Sequence, residues 1–139
     1  MRIMIAAAIA ATAAATLPAV AATPVIGRWL SSDKDSVIEI AACGSAICGK
    51  VARILRPAAD GGPLTDRNNP EPSLRNRPIL GLTILSGFVS DGGSWKGRIY
   101  DPRNGKTYKS YLTRNANGTL KVQGCIAFLC QVQTWSAAP

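Results

Sequence analysis

The sequence of 139 residues contains no histidine. This absence excludes a histidine general base, a Ser-His-Asp arrangement and imidazole ligands to a metal ion. The G-x-S-x-G, G-x-G-x-x-G and phosphate-loop motifs are also missing, which excludes the best-known hydrolase and nucleotide sites. Carboxylates are few, with 8 Asp and Glu against 16 Lys and Arg. The composition therefore leans away from an enzyme, and it predicts no metal site and no cofactor.

Long apolar runs are scarce too, since only one is present, at the N-terminus. Arg2 precedes an Ala-, Ile- and Leu-rich stretch from Ile3 to about Leu17, and small residues follow around Ala21. This order is typical of a secretory signal peptide, and the run is short for a membrane-spanning helix, which needs about 20 apolar residues. We expect a signal peptide over residues 1–22 and a single domain over 23–139. This domain would be periplasmic or secreted and would not span a membrane.

The four cysteines form two pairs, each separated by four residues: Cys43 with Cys48, and Cys125 with Cys130. An even number of cysteines in an exported chain indicates disulfides, and the spacing is wide for zinc. Of the three possible pairings we favour the one within each pair, because each bond would then lie across a hairpin turn. A bond between distant strands remains the alternative.

The remainder of the chain shows no helical periodicity. Short runs rich in β-branched and aromatic residues recur instead, and turn sequences such as Asn104-Gly105 separate them. We predict strands at 24–32, 36–43, 47–55, 79–88, 94–102, 106–115, 119–125 and 129–136. Tight hairpins make consecutive strands antiparallel neighbours. The expected fold is an all-β, eight-stranded antiparallel up-and-down barrel, with a two-sheet β-sandwich as the alternative.

The cysteine pairs also predict the strand register. If Cys43 lies opposite Cys48, then Ala41 faces Lys50 and Ile40 faces Val51; if Cys125 lies opposite Cys130, then Val122 faces Gln133 and Leu120 faces Trp135. One face would then combine apolar residues with three polar ones: Ile38, Ile40, Val51, Leu120, Val122 and Trp135, with Arg53, Gln131 and Gln133. Such a face either lines a pocket or fills a core. A single bulge would move Arg53 to the outside.

One connection, at residues 56–78, is long and rich in proline and polar residues, and it cannot form a central strand. It is either a lid over one barrel mouth or a structural crossover held by Arg–Asp pairs, and we favour the crossover. Basic and aromatic residues also alternate on two neighbouring strands: Lys96, Arg98, Tyr100, Lys106, Tyr108, Lys109 and Tyr111. This alternation is typical of a hairpin with one solvated face, so we expect no nucleic-acid partner.

Several motifs, in one order along the chain, resemble a secreted bacterial family known as domain of unknown function 2147. They include Gly27-Arg28-Trp29, Cys48-Gly49-Lys50, the segment from Asp66 to Phe88, and Gln133-Thr134-Trp135. The resemblance implies an exported protein with a lipocalin-like or calycin-like barrel. It also implies that Trp29 closes one barrel end beside a basic residue near the last strand. Here Ser136 and Ala137 stand where the family usually places an Arg, which predicts a weaker closure.

The leading functional hypothesis is a binding module for a small apolar or amphipathic ligand. Its candidate residues are a polar mouth of Asp66, Asn69, Arg75 and Arg77, a closed end at Trp29, and Arg53 and Gln133 on the inner face. A second hypothesis is an envelope interaction or protection protein whose basic surface binds an anionic envelope component. A third is a carboxylate-dependent hydrolase with Asp66 and Glu71 as its acid/base pair. Ligand identity and oligomeric state stay open.

Overall fold

The structure, a computed structural model, describes residues 9–16 and 22–139. Its strands are β1 (Gly27–Leu30), β2 (Ser36–Cys43), β3 (Ala46–Ile54), β4 (Thr83–Asp91), β5 (Ser94–Asp101), β6 (Lys106–Arg114), β7 (Leu120–Ile126) and β8 (Leu129–Ala137). A 3-10 turn covers Pro72–Leu74. The predicted cleavage region around Ala21, residues 17–21, lies outside the described residues, as do residues 1–8.

The eight strands form a closed barrel in which each strand pairs antiparallel with the next. β1 returns to β8 through the pairs Trp29 with Ala137 and Leu30 with Ser136, so neither strand keeps a free edge. The predicted up-and-down barrel is confirmed, and the sandwich alternative is wrong. No helix in the described ranges has the length and hydropathy needed to cross a membrane.

Most strand ends lie within two residues of the prediction, but the starts of β1 and β4 differ by three and four residues, and β4 ends at Asp91 instead of residue 88. β1 begins at Gly27 instead of residue 24, because the chain bends there with a φ of 147° and the preceding residues cover one end of the barrel. β4 begins at Thr83 instead of residue 79, because the chain from Ile79 to Leu82 forms a turn closed by a hydrogen bond from the Leu82 amide to the Ile79 carbonyl.

The disulfides join the predicted cysteines, with Cα–Cα distances of 5.6 Å for Cys43–Cys48 and 4.0 Å for Cys125–Cys130. Their registers differ. Cys125 lies directly opposite Cys130, and the predicted β7–β8 register is confirmed.

In the β2–β3 hairpin the predicted register is wrong by two residues. Cys43 pairs with Ala46 and Cys48 pairs with Ala41, so the disulfide is diagonal. The turn between these strands contains only two residues, Gly44 and Ser45, whereas directly opposed cysteines would need four. Consequently Ile40 faces Gly49 and Val51 faces Ile38.

Arg53 does not lie on the inner face, which corrects its assignment as a ligand-binding candidate. The register shifts where Val37 pairs with Arg53 and Ile38 pairs with Val51, so Ala52 is an extra residue on β3. This bulge reverses the alternation of side chains along β3. Arg53 is exposed, and Ile54 takes the inward position instead.

The barrel is packed at one end and open at the other. The closed end contains the turns after β2, β4 and β6, and its interior is filled by large buried side chains: Val25, Trp29, Leu85, Phe88, Leu112 and Leu120. The mouth is formed by the turns after β1, β5 and β7 and by the long connection, residues 55–82 between β3 and β4. The predicted inner apolar residues Ile38, Ile40, Val51, Leu120, Val122 and Trp135 are all buried.

Candidate functional site

A cavity of about 940 Å³ occupies the mouth half of the barrel. Its deeper walls are apolar and come from strands around the barrel: Ile38, Val51, Ile84, Ile99 and Val122. Nearer the mouth, Ile54, Ile126 and Leu129 add further apolar surface. Gly124 on β7 adds space, because it has no side chain where its neighbours on the inner face project inward. The volume lies in the range of small-molecule sites, about 300 to 1,000 Å³.

A few polar groups project into this apolar space. The side-chain oxygen Oε1 of Gln133 accepts a hydrogen bond from Trp135 Nε1 at 3.1 Å and one from Ser32 Oγ at 3.3 Å. Gln131 lies one inward position nearer the mouth, and Tyr108, whose hydroxyl accepts from Asn104 Nδ2 at 2.8 Å, also lines the cavity. Apolar walls with a few placed polar groups suit a partly apolar ligand.

Charged side chains surround the mouth, and three of them pair with one another. Arg103, in the turn after β5, donates to Asp33 in the turn after β1 and to Asp101 on β5, each at 3.0 Å. These two turns lie on opposite sides of the barrel, so the guanidinium crosses the rim. Asp35 accepts hydrogen bonds from Ser31 Oγ at 2.7 Å and Ser36 Oγ at 3.0 Å. The rim thus offers a charged, hydrogen-bonding border above an apolar interior.

The long connection is clamped to β5 through the buried side chain of Asp66. One carboxylate oxygen accepts from the Tyr100 hydroxyl at 2.5 Å. The other accepts from Asn69 Nδ2 and from Arg77 Nε, both at 2.8 Å. Arg75 Nε extends the cluster by donating to the Asn69 carbonyl at 2.8 Å. The favoured prediction of a crossover held by an Arg–Asp pair agrees with this arrangement.

The pKa of Asp66 reflects these contacts. Burial by itself raises the pKa of this carboxyl, but the three hydrogen bonds and the neighbouring guanidinium outweigh burial and leave the pKa below its usual 3.8. Burial and the contact with Asp66 raise the pKa of Tyr100. The carboxylate is therefore held ionised with its partners in place. A general acid needs the opposite shift, so the geometry gives no support to Asp66 in a hydrolytic pair with Glu71.

A second contact fixes the long connection to the turn after β5. Asn68 Nδ2 donates to the carbonyls of Pro102 at 3.1 Å and Arg103 at 3.0 Å. Gly105 makes this approach possible, because it has a φ of 72° and a side chain there would overlap the Asn68 carbonyl oxygen. The connection consequently borders the mouth as a fixed wall.

The predicted site residues fall into four places: the cavity, the cluster around Asp66, the closed end and, for Arg53, the exposed outside of the barrel. Gln133 lines the cavity, as the prediction of an inward Gln133 requires. Asp66, Asn69, Arg75 and Arg77 are brought together, but the residues that line the cavity do not include them. Their neighbours Thr65, Arg67 and Asn68 border the cavity instead.

Trp29 lies at the closed end, as the resemblance implies. Its indole N–H donates to the Val25 carbonyl at 2.9 Å, and the indole of Trp95 donates to the Thr23 carbonyl at 2.9 Å. A basic residue does lie beside this ring: Arg114 at the end of β6 places its guanidinium 5.1 Å from the centre of the Trp29 ring. The cation comes from β6 in place of the last strand.

Three contributors were missed from the sequence: Tyr100, Arg103 and Arg114. Tyr100 was interpreted only as part of a solvated hairpin face. The alternation of side chains along β5 does place it on the face opposite to that of its inward neighbour Ile99. Its partner Asp66 lies 34 residues away. In the described part of the chain, His, Cys, Asp and Glu side chains do not gather into a group of three that could hold a metal ion.

Comparisons with known proteins agree with this architecture. A family model described as "Uncharacterized protein conserved in bacteria (DUF2147)" matches residues 27–137, which span β1 to β8. A solved structure described as "Protein HP1028 from the human pathogen Helicobacter pylori belongs to the lipocalin family" superposes with a TM-score of 0.72 and 25% identity, over 84% of each chain. None of the curated proteins compared with the chain matches it.

Proposed function

The chain belongs to the DUF2147 family of bacterial proteins, and from this premise we propose that it is an exported lipocalin-like barrel that holds a small, partly apolar ligand in its mouth cavity. The observation that carries the proposal is the open cavity of about 940 Å³, which begins at the rim and the long connection and reaches into the mouth half of the barrel. Small barrels are often filled completely by their own side chains, and this one is filled only at the closed end.

The lining predicts how the ligand lies. The apolar part would contact the deep walls formed by Ile38, Ile99 and Val122. The side-chain amide of Gln133 would form a hydrogen bond to the ligand in the middle of the cavity. Its oxygen is available for this bond because the hydrogen bond that it accepts from Ser32 Oγ is long and weak, at 3.3 Å. A polar end would face the charged rim around Arg103. We therefore expect an elongated amphipathic molecule with its polar end outward.

Location in the cell envelope forms the second half of the proposal. Two disulfides in a chain of a bacterial family are consistent with an extracytoplasmic protein, because the bacterial cytoplasm keeps thiols reduced. The N-terminal order of charge, apolar run and small residues supports export as well. A test is the molecular mass of the protein recovered from a periplasmic extract, which should lack residues 1–21 or 1–22.

Binding can be tested with Gly124→Phe, a variant that fills the cavity. A β-carbon at Gly124 would lie 3.7 Å from Ile99 Cγ2 and 3.9 Å from Tyr108 Cβ, which is ordinary contact, so the ring can enter the space without displacing the backbone. Titration with the apolar fluorophore aminoanthracene should show one saturable site in the native protein. In Gly124→Phe the affinity should fall at least about tenfold, since the ring takes the volume that the ligand needs.

The matched control is Val132→Phe, which adds the same ring to the exposed outer face of β8, opposite Gln123. Its affinity for the fluorophore should equal that of the native protein. Equal binding by all three proteins would place the fluorophore outside the barrel and contradict the proposal. Circular dichroism checks that both variants keep the strand content of the native fold.

A further inference from the structure

The turn between β7 and β8 carries large apolar side chains into solvent. Ile126 is 65% exposed, Phe128 is 90% exposed and Leu129 is 70% exposed. We call these three residues the apolar tip. Single exposed apolar residues are common on protein surfaces, but three within four positions at the end of one hairpin form a contiguous protrusion.

The apolar tip is braced and continuous with the cavity. Cys125 and Cys130 are bonded directly beneath it, so the hairpin keeps its shape when the tip is pushed against another surface. Ile126 and Leu129 pair with each other across the hairpin, and both also line the cavity. An unbroken apolar path therefore leads from the exposed ring of Phe128 into the barrel.

Lysines lie beside the apolar tip. All eight carboxylate side chains of the chain lie at or before Asp101. Strands β6, β7 and β8 thus carry no side chain of negative charge. Of the five cations that follow Asp101, Arg103, Lys106 and Lys109 lie toward the mouth, whereas Arg114 and Lys121 lie toward the closed end. At the rim, Asp33 and Asp101 are paired with Arg103. Lys109 lies directly beside Cys125 on the neighbouring strand, and Lys106 begins that strand at the mouth. The ion pairs found among the described residues include neither lysine.

We propose that this end of the barrel docks on an anionic phospholipid bilayer, with the ring of Phe128 entering the acyl boundary and the lysines of β6 contacting the headgroups. Apolar insertion combined with attraction between cations and anionic lipid is the usual physical basis of reversible membrane binding. The charge also argues against self-association through this end, because two copies would bring the same cationic strands together.

Docking in this orientation would turn the mouth of the cavity toward the lipid. An amphipathic molecule could then pass along Ile126 and Leu129 between the bilayer and the barrel without crossing water. This transfer step rests on the proposed ligand binding, whereas the docking itself does not.

The direct test is co-sedimentation of the full disulfide-bonded protein with vesicles. Vesicles of equimolar phosphatidylglycerol and phosphatidylcholine should bind the native protein, and phosphatidylcholine alone should bind it more weakly. Phe128→Ser should weaken binding to the anionic vesicles at least about tenfold, because burial of the ring is lost. Val89→Ser is the matched control: Val89 is also exposed but pairs with Lys96 on a strand away from the tip, and binding should not change.

Position-specific contact is measured with Phe128→Trp and Val89→Trp. Vesicles with brominated acyl chains should quench the fluorescence of the tryptophan introduced in Phe128→Trp but not that of the tryptophan introduced in Val89→Trp, each measured relative to the native protein. This difference is expected whatever the N-terminal apolar run contributes to binding. Equal binding of Phe128→Ser and the native protein, or absence of extra quenching at position 128, would overturn the proposal. So would a native dimer in sedimentation that Phe128→Ser converts to a monomer without any vesicle binding.

The aminoanthracene titration separates this inference from the proposed function. Phe128→Ser should bind the fluorophore like the native protein, since Phe128 does not line the cavity. Loss of vesicle binding with intact fluorophore binding supports docking through the tip. Native fluorophore binding without any vesicle binding would overturn the docking alone.

Discussion

At the scale of single residues, Asp66 shows what the sequence could and could not predict. Its position in a polar, proline-rich connection indicated a charged cluster with nearby arginines, and Arg77 is indeed its ion-pair partner at 2.8 Å. The connection was expected to present this cluster to a ligand. In the structure the carboxylate is buried and its oxygens accept from groups on two elements. Burial depends on the path of the whole connection over β5, which no local pattern encodes.

Removing this carboxylate should destabilise the fold. Asp66→Ala leaves the Arg77 guanidinium and the Tyr100 hydroxyl without their shared partner, and we expect the free energy of unfolding to fall by about 3 kcal/mol. Glu71→Ala, which removes an exposed carboxylate of the same connection, should change it by less than about 0.5 kcal/mol. Urea denaturation measures both. Similar values for the two variants would show that the clamp contributes nothing.

The same residue makes stability depend on pH. Because the folded state lowers the pKa of Asp66 below its usual 3.8, the stabilisation is fully present above that value and is lost as the pH falls through the depressed folded value. The native protein should therefore lose stability in acid over this range. Asp66→Asn should show a shallower loss in denaturation curves recorded at successive pH values. Parallel pH profiles for the two proteins would contradict the assignment of this acid sensitivity to Asp66.

Arg114 was not recognised from the sequence because its partner Trp29 is brought close only by closure of the barrel. Its guanidinium lies over the indole at 5.1 Å from the ring centre. Arg114→Ala should lower the free energy of unfolding by about 0.5 to 1 kcal/mol and shift tryptophan emission to longer wavelength as water reaches the ring. Lys121→Ala, on the neighbouring strand, is the control and should leave both quantities unchanged. An unshifted emission spectrum in Arg114→Ala would argue against the stacking.

At the scale of elements, turn chemistry predicted the eight strands and most of their pairing. Asn104-Gly105 and Asn117-Gly118 both lie in the turns that connect hairpin strands, as expected. The error in β2–β3 came from assuming that bonded cysteines must be directly opposed, which holds for Cys125 but not for Cys43. The bulge at Ala52 could be named as a possibility but not located, because a bulge depends on packing against the strands on both sides.

The two Asn-Gly turns allow a matched comparison. Gly105 and Gly118 have φ values of 72° and 85°, so alanine is strained at both positions. A side chain at Gly118 meets nothing within 4 Å, whereas one at Gly105 overlaps the Asn68 carbonyl. Gly118→Ala should lower the free energy of unfolding by about 1 kcal/mol and Gly105→Ala by at least about 2 kcal/mol more. Equal losses in urea denaturation would mean that the long connection is not held against this turn.

At the scale of the whole molecule, the closed barrel could be predicted because closure removes the two free edges of the sheet. In the structure β1 and β8 close the barrel through only two residue pairs. The inward apolar set was also predictable, since strand alternation and the β7–β8 register fix it. The cavity was not. Whether a barrel of this size is filled depends on the summed volumes of inward side chains, and Trp29 and Phe88 fill one half while Gly124 leaves space in the other.

Native mass spectrometry of the protein purified from its own bacterium shows whether this space holds a ligand. We expect a mass excess equal to one small molecule per chain, which disappears on denaturation and is absent from Gly124→Phe prepared in the same way. A native protein that carries only its own mass, or an excess that persists unchanged in Gly124→Phe, would contradict the proposed ligand binding.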